Sequence, residues 1–439
     1  MNMKKCLMFL MILVLLAALT PLSLAEEETE WLSSGPWSYQ ILPDGTAKIC
    51  AHKEEKVTYL FVPQTLDGIP VTSVGSHAFK AVKGLKEVIL PEGLTTIGNR
   101  AFGLSRGIER ITLPSTLTTI EDYAFQDCDK LKEITIPDGV TNFGGNPFIG
   151  CQELTAINFS ENHPILQMKD GVIFSKDGKR LLCFPCALPA ASYTVPEGTE
   201  VIGDGAFMDC WNLTEVTLPA TVTALEHWAF HACSSMEQLR FAEGLQVIGA
   251  EALSGTAAAS FVLPDGVTTL EDGAFNGSFE LKEINLPDSL TTVGENPFQR
   301  CDLLTDIRIS PDHPVLEMKD GVLFSKTDHR LISYPTGAEA ESYTIPEGTE
   351  IIGANAFSDH EFLYSVTFPE GLKEVGYGAF SSCKGLTEII LPDSIETLGE
   401  YSFAFLPGLK KASIPATLTN IDPKAFAYSG SRDFEPTVR

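Results

Sequence analysis

One stretch, Leu85 to Gly103, constrains most of what this chain can become. It reads LKEVILPEGLTTIGNRAFG and returns with small changes as IERITLPSTLTTIEDYAF, LKEITIPDGVTNFGGNPF, LTEVTLPATVTALEHWAF, LKEINLPDSLTTVGENPF and LTEIILPDSIETLGEYSF. Self-similarity at a fixed period confines a chain to stacked, near-identical units. The period can be measured from the closing phenylalanines: Phe79, Phe102, Phe125, Phe148, Phe207, Phe230, Phe275, Phe298, Phe357, Phe380, Phe403 and Phe426, with Leu253 in the same role. Their spacing is 23 residues, shortened once to 22 and lengthened twice to 59, each long step being 23 plus an insert of 36.

Within one unit, Val88-Ile89-Leu90 alternates with period two and predicts a short strand with Val88 and Leu90 inward. Pro91 ends the strand because it lacks an N–H for the ladder. Leu94 and Ile97 turn back inside, Gly98 permits backbone geometry that a side chain resists, and Ala101-Phe102 closes the coil. One such coil cannot hide both of its apolar sides. Stacked on copies of itself, it makes a continuous core and a parallel sheet.

The pattern LxxIxLPxxLxxIGxxAFxxC resembles the BspA-like class of bacterial leucine-rich repeats, from about Trp37 to Tyr428. The resemblance implies a mainly β repeat solenoid: a curved leucine-rich-repeat horseshoe with a parallel sheet on the concave face and short helical turns or irregular coil on the convex face. It also implies secreted or surface-exposed proteins, some of them adhesins that bind other proteins.

Ahead of the coils, Tyr39 to Leu42 and Ala47 to Cys50 flank Asp44-Gly45 and predict a hairpin that caps the raw end of the solenoid. Each 36-residue insert predicts a projecting β-hairpin, the first from Val172-Ile173-Phe174 and Leu181 to Phe184. The insert recurs 150 residues later, with eleven of fourteen residues matching between 163–176 and 313–326, so a 150-residue superrepeat overlies the 23-residue one. Near residue 255, Leu253, the short step and a run of small residues predict a softer joint or a change in curvature. The resulting division is a signal peptide at 1–25, a cap with the first coil at 26–75, a solenoid at 76–428 with hairpin inserts at about 160–195 and 310–345, and a loose tail at 429–439.

Lys4 and Lys5, the apolar run Cys6 to Leu19, and Ser23-Leu24-Ala25 form a secretory leader cleaved between Ala25 and Glu26. The run is shorter than the ~20 residues a membrane span needs, and no second apolar segment follows. The chain is expected outside the cytoplasm, with no membrane span after cleavage. Its formal charge of −27 disfavours nucleic acid as a partner.

Signals for chemistry are weak. Cys128, Cys151, Cys210, Cys233, Cys301 and Cys383 sit three residues after the closing aromatic, the register of small buried packing residues. Cys128 with Cys151, and Cys210 with Cys233, lie on neighbouring coils within reach of disulfides, but an odd total and unstapled copies argue against a framework. Cys183-Phe184-Pro185-Cys186 reads as a local disulfide or two inert thiols; a redox motif opens a helix in a βαβ unit. His163 and His313 read as equivalent loop residues, without a partner at ligand spacing. Acidic residues are dispersed. The reading assigns no catalytic residue, metal or cofactor, and no enzyme activity.

What remains is the sheet face. Outward strand positions stack at ~4.8 Å into ladders, and repeat proteins use such faces for partners. Lys86, Glu87, Arg110, Lys132, Glu133, Glu215, Lys282, Glu283 and Glu388 are the candidate contacts. Alternating Lys and Glu also solvate a strand without binding anything. The partner class is a protein or a glycan, through the concave face or the hairpins. The alternative is a structural or self-assembling envelope protein without a dedicated ligand. Oligomeric state is open.

Overall fold

The structure, a computed structural model, describes residues 31–54, 56–430 and 435–439. The expected leader at 1–25, with its expected cleavage between Ala25 and Glu26, lies outside the described residues. Among these, every regular element is a strand.

Each coil supplies two strands, not one. Glu87–Ile89 pairs in parallel with Tyr59–Phe61 on one side and Arg110–Thr112 on the other. After Pro91 the chain turns, and Thr96–Ile97 enters a second parallel ladder between Ser73-Val74 and Thr119–Ile120. Val88, Leu90, Leu94 and Ile97 all point into the core between the two ladders. The second ladder is the more continuous one. It runs in three sheets of eight, eight and seven strands, whereas the first is broken into sheets of two or three.

The outer side of each coil is a turn, with no helix in it. His77 N–H bonds to Asn99, Phe79 N–H to Ala101 and Ala81 N–H to Gly103, each one coil along. His77 and Ala81 have φ of 61° and 58°, and the equivalent Arg100, Leu104, Tyr123 and Asp127 repeat this left-handed geometry. Alternating backbone handedness aims these N–H groups along the solenoid axis and rules out a helical turn. A left-handed residue bearing a Cβ costs about 1–2 kcal/mol. Ala81→Gly is therefore expected to stabilise the protein by about 0.5 kcal/mol after glycine's own entropic penalty. Urea unfolding beside Ala124→Gly, a buried position of ordinary φ expected to lose about 1 kcal/mol through glycine's entropy and the methyl removed, checks the contrast.

The closing aromatics stack. Phe79 lies 5.1 Å from Phe102, Phe102 5.7 Å from Phe125, and Phe125 5.6 Å from Phe148, with rings within 13° of parallel. Where Leu253 stands, Phe261 enters from the first ladder and reaches Phe275 at 5.2 Å. At that joint the second ladder continues through Val247↔Thr269. The first ladder stops at Gln238–Arg240 and restarts at Ser260–Val262.

The expected hairpin of each insert is present, Val172–Ser175 with Arg180–Cys183 and Val322–Ser325 with Arg330–Ser333, but it does not project. Leu166–Lys169, Val172–Ser175 and Arg180–Cys183 form a three-stranded antiparallel meander, and its last strand pairs in parallel with Val201–Ile202. Ile173 packs into the core that precedes it, while Val172 and Phe174 pack into the core that follows. The duplicate does the same, with Leu323 on one side and Val322 and Phe324 on the other. Each meander is thus a wall between consecutive core segments. A strand covered on both faces reads as a continuous apolar run, which is why Val-Ile-Phe does not alternate. Phe184 and Tyr334 then close the inserted coils, stacking on Phe207 at 5.1 Å and Phe357 at 4.9 Å. The long step of 59 is therefore a coil of 36 followed by an ordinary one of 23.

The position three residues past the closing aromatic has a chemical rule. Cys151, Cys233, Cys301 and Cys383 each donate S–H to the carbonyl of the closing Phe 26 residues earlier, at 3.2, 3.0, 3.1 and 2.8 Å. Ser105 and Ser429 donate O–H to the same carbonyl, both at 2.7 Å. His360 uses Nε2 on Tyr334 at 3.3 Å. All of these side chains are buried. The position selects a compact donor, and packing alone would not explain the exchange of Cys for Ser and His.

His163 and His313 do lie in loops, just before the strands at Leu166–Lys169 and Leu316–Lys319, but both are fully buried. The His163 Nδ1 accepts Leu166 N–H at 3.2 Å, leaving Nε2–H to donate to the Pro137 carbonyl at 3.2 Å. His313 makes the same two bonds, to Leu316 and Pro287, both at 3.0 Å. They clamp the entry of each meander to the coil before it.

Candidate partner-binding face

Strand pleating decides which side chains reach the first-ladder face. Val88 is buried, so Glu87 and Ile89 on either side of it point outward. Parallel register places Glu87 beside Arg110, and Glu133 beside Ala156. The charges then pair across coils. Lys86 Nζ is 3.1 Å from Glu109, Arg110 Nη1 is 3.9 Å from Glu87, and Lys132 Nζ is 3.8 Å from Glu153. Lys130 also pairs with Glu153 and holds that carboxyl below its usual range. Further along, Glu215 pairs with Arg240 at 2.6 Å, Glu283 with Arg308 at 2.8 Å, and Glu388 with Lys411. Among the described residues, no ion pair is found for Glu133 or Lys282.

Five of the nine candidates converge. Lys86, Glu87, Arg110, Lys132 and Glu133 line one open groove of about 900 Å³, together with Tyr59, Glu109, Lys130, Glu153, Thr155 and Ala156. Glu215, Glu283 and Glu388 open the equivalent strands on later coils, with Lys282 just ahead of its strand, all outside this groove. The amino-terminal edge carries two exposed rings, Tyr59 at 61% and Phe61 at 64%. Sequence reasoning missed Lys130 and Glu153, which sit in the turn before the strand. Their separation of 23 residues was the available signal.

Acidic residues are also less dispersed than the sequence suggests. Asp209 and Asp127 flank Gly150 in a cleft of about 350 Å³ with Arg106 and Trp211. Burial, and then the charge of Asp127, push the Asp209 carboxyl up to about 6. The pair has no adjacent nucleophile or histidine in that cleft. No three His, Cys, Asp or Glu side chains among the described residues come together as a metal site would require.

Residues 52–170, 183–321 and 334–435 match the family described as BspA type Leucine rich repeat region, in six copies. The unmatched internal stretches fall on the strands of the two partition walls. Among solved structures, the chain is similar to a leucine-rich repeat protein from Bacteroides ovatus, 20% identical over 93% of this chain and 99% of that one, with a TM-score of 0.37. A leucine rich cell surface protein from Faecalibacterium prausnitzii is 24% identical over 92% and 93% of the two chains, with a TM-score of 0.37. The pneumococcal vaccine antigen PcpA is 18% identical over 85% and 94%, with a TM-score of 0.44. No match is found among curated proteins.

Proposed function

Because the chain belongs to the BspA-type leucine-rich-repeat family, we propose that it is a secreted or cell-surface protein whose first-ladder face binds another protein. The observation that carries this reading is the groove. It sets four basic and four acidic side chains in register beside an exposed tyrosine. Interdigitated charges of both signs suit a polypeptide that also bears both, and such complementarity sets register and partner choice. The internal ion pairs are no obstacle, since exposed pairs contribute about 0–1 kcal/mol and can be exchanged for a partner's charges. Export is supported by the basic and apolar leader. No helix among the described residues is long and apolar enough to cross a membrane.

The test is a double charge reversal, Arg110→Glu with Lys132→Glu, probed on arrays of purified extracellular proteins and of glycans. Wild type is expected to retain at least one protein, with about tenfold weaker binding by the double variant, equivalent to ~1.4 kcal/mol. Glu388→Lys, on the same ladder outside the groove, should bind as wild type does. Retention of glycans alone, or equal binding by all three proteins, would remove the groove from consideration. A particle size that grows with concentration in light scattering would favour the self-assembling alternative.

A further inference from the structure

We propose that Cys186 and Cys210 form a disulfide when the protein folds in an oxidising medium, locking the first partition wall to the coil that follows it. The two thiols are already in contact: Cys210 Sγ lies 3.4 Å from Cys186 Sγ. Among the described residues no other pair of cysteines shows such a contact, although nine free thiols are present. Proximity along the stack is not sufficient, because Cys128 and Cys151 sit on adjacent coils and each instead bonds to the closing phenylalanine carbonyl of the coil before it, Phe102 and Phe125. Cys186 differs because of the 36-residue coil. It stands two residues past the closing Phe184, where an ordinary coil has its donor three residues past. That offset turns its sulfur toward Cys210 and the Met208 carbonyl.

The pair also differs from the pairings the sequence suggests. Cys183 packs into the core before the wall, Cys186 into the core after it. The CxxC spacing therefore divides the two thiols between compartments. In the second superrepeat the positions equivalent to Cys186 and Cys210 are Thr336 and His360, so the second wall has no covalent counterpart.

The chemistry is thiol–disulfide exchange with a small disulfide such as oxidised glutathione. The Cys186 thiolate attacks one glutathione sulfur and expels a glutathione thiolate. The Cys210 thiolate then attacks the mixed disulfide at Cys186 and expels the second. The two cysteine protons pass to the two released thiolates, so one disulfide is reduced and one formed. With Cys186 and Cys210 only 5% and 1% exposed, exchange takes place before the coils close.

The test uses the full chain, refolded from the reduced state in mixed oxidised and reduced glutathione. Free thiols are then alkylated under denaturing conditions, and peptides from cleavage after glutamate are mapped by tandem mass spectrometry, because no Lys or Arg separates Cys186 from Cys210 while Glu197 and Glu200 do, and Glu215 separates Cys210 from Cys233. The expected result is two thiols protected, and one linked peptide pair containing Cys186 and Cys210 that disappears on reduction. The oxidised chain should melt several degrees above the reduced one, and Cys186→Ser should abolish that difference while Cys233→Ser keeps it. Full alkylation of every thiol, or a Cys183–Cys186 or Cys210–Cys233 linkage, would overturn the proposal. Because oxidised and reduced wild type are compared directly, the result does not depend on the variants folding.

Discussion

Replacing Phe230 by alanine is expected to lower the stability of the central core segment by about 4 kcal/mol, the usual loss for a large buried ring cut to a methyl group. Phe230 is fully buried and stacks on Phe207 at 4.7 Å, with the rings 10° from parallel. Its neighbour on the other side is Leu253, not a ring, so nothing there can slide in to fill the space. Phe230→Leu should cost only about 1 kcal/mol, since the chain already uses leucine in that role one coil later and the volume change is small. Guanidinium unfolding followed by tryptophan fluorescence distinguishes the two. Solenoids gain stability coil by coil, so the alanine variant should also open a first transition confined to the segment between the walls. A loss under ~1 kcal/mol with a single unchanged transition would mean that the aromatic stack is dispensable.

His360 should make the protein acid-sensitive in a defined window. Burial pulls its pKa down to about 4, outweighing the hydrogen bond to the Tyr334 carbonyl, which acts the other way. The unfolded value is about 6.5. A depressed histidine pKa means that the unfolded chain binds the proton first. The stabilising contribution is therefore complete above pH ~6.5, declines as pH falls toward ~4, and changes no further below that. The span of about 2.5 units corresponds to roughly 3 kcal/mol. Burial also holds His163 low, with the same sign. Asp209, raised to about 6, has the opposite sign: its folded form binds the proton first, so acidification favours folding there. The comparison that isolates His360 is with His360→Cys, which keeps a compact donor at the position and mirrors Cys210 in the other superrepeat. Wild type should lose about 3 kcal/mol more than this variant between pH 7 and 4 in urea titrations. Parallel pH profiles for the two proteins would show that His360 titrates normally.

The coil itself was legible because its determinants are local. The alternation at Val88 and Leu90, the stop at Pro91 and the closing Ala101-Phe102 each act within a few residues of chain. The second ladder was not legible, because Thr96–Ile97 is too short to show a period. The walls were misread for a related reason: Val172-Ile173-Phe174 carries no alternation when both its faces are covered. A backward count of 23 from Phe207 and Phe357 would have found Phe184 and Tyr334. Nothing in the sequence marks His77 or Ala81 as left-handed, since that geometry is imposed by hydrogen bonds to the next coil. On the candidate face, pleating makes the outward register of Glu87, Arg110, Glu133, Glu215, Glu283 and Glu388 readable, whereas Lys86, Lys132 and Lys282 stand just before their strands and do not follow from it. Which five share a groove was not readable.

From sequence alone came the repeat length, the stacking of coils, the buried aromatic series and the outward set of charges. These follow from periodicity, and periodicity is a property of the chain read one neighbour at a time. The three-dimensional arrangement decided where the core is divided, which carbonyl each cysteine, serine or histidine satisfies, and which thiols and charges meet. Those outcomes depend on residues about 23 or 26 positions apart being brought to a spacing of a few ångströms, and a coil acquires that neighbour only when the next one is laid upon it.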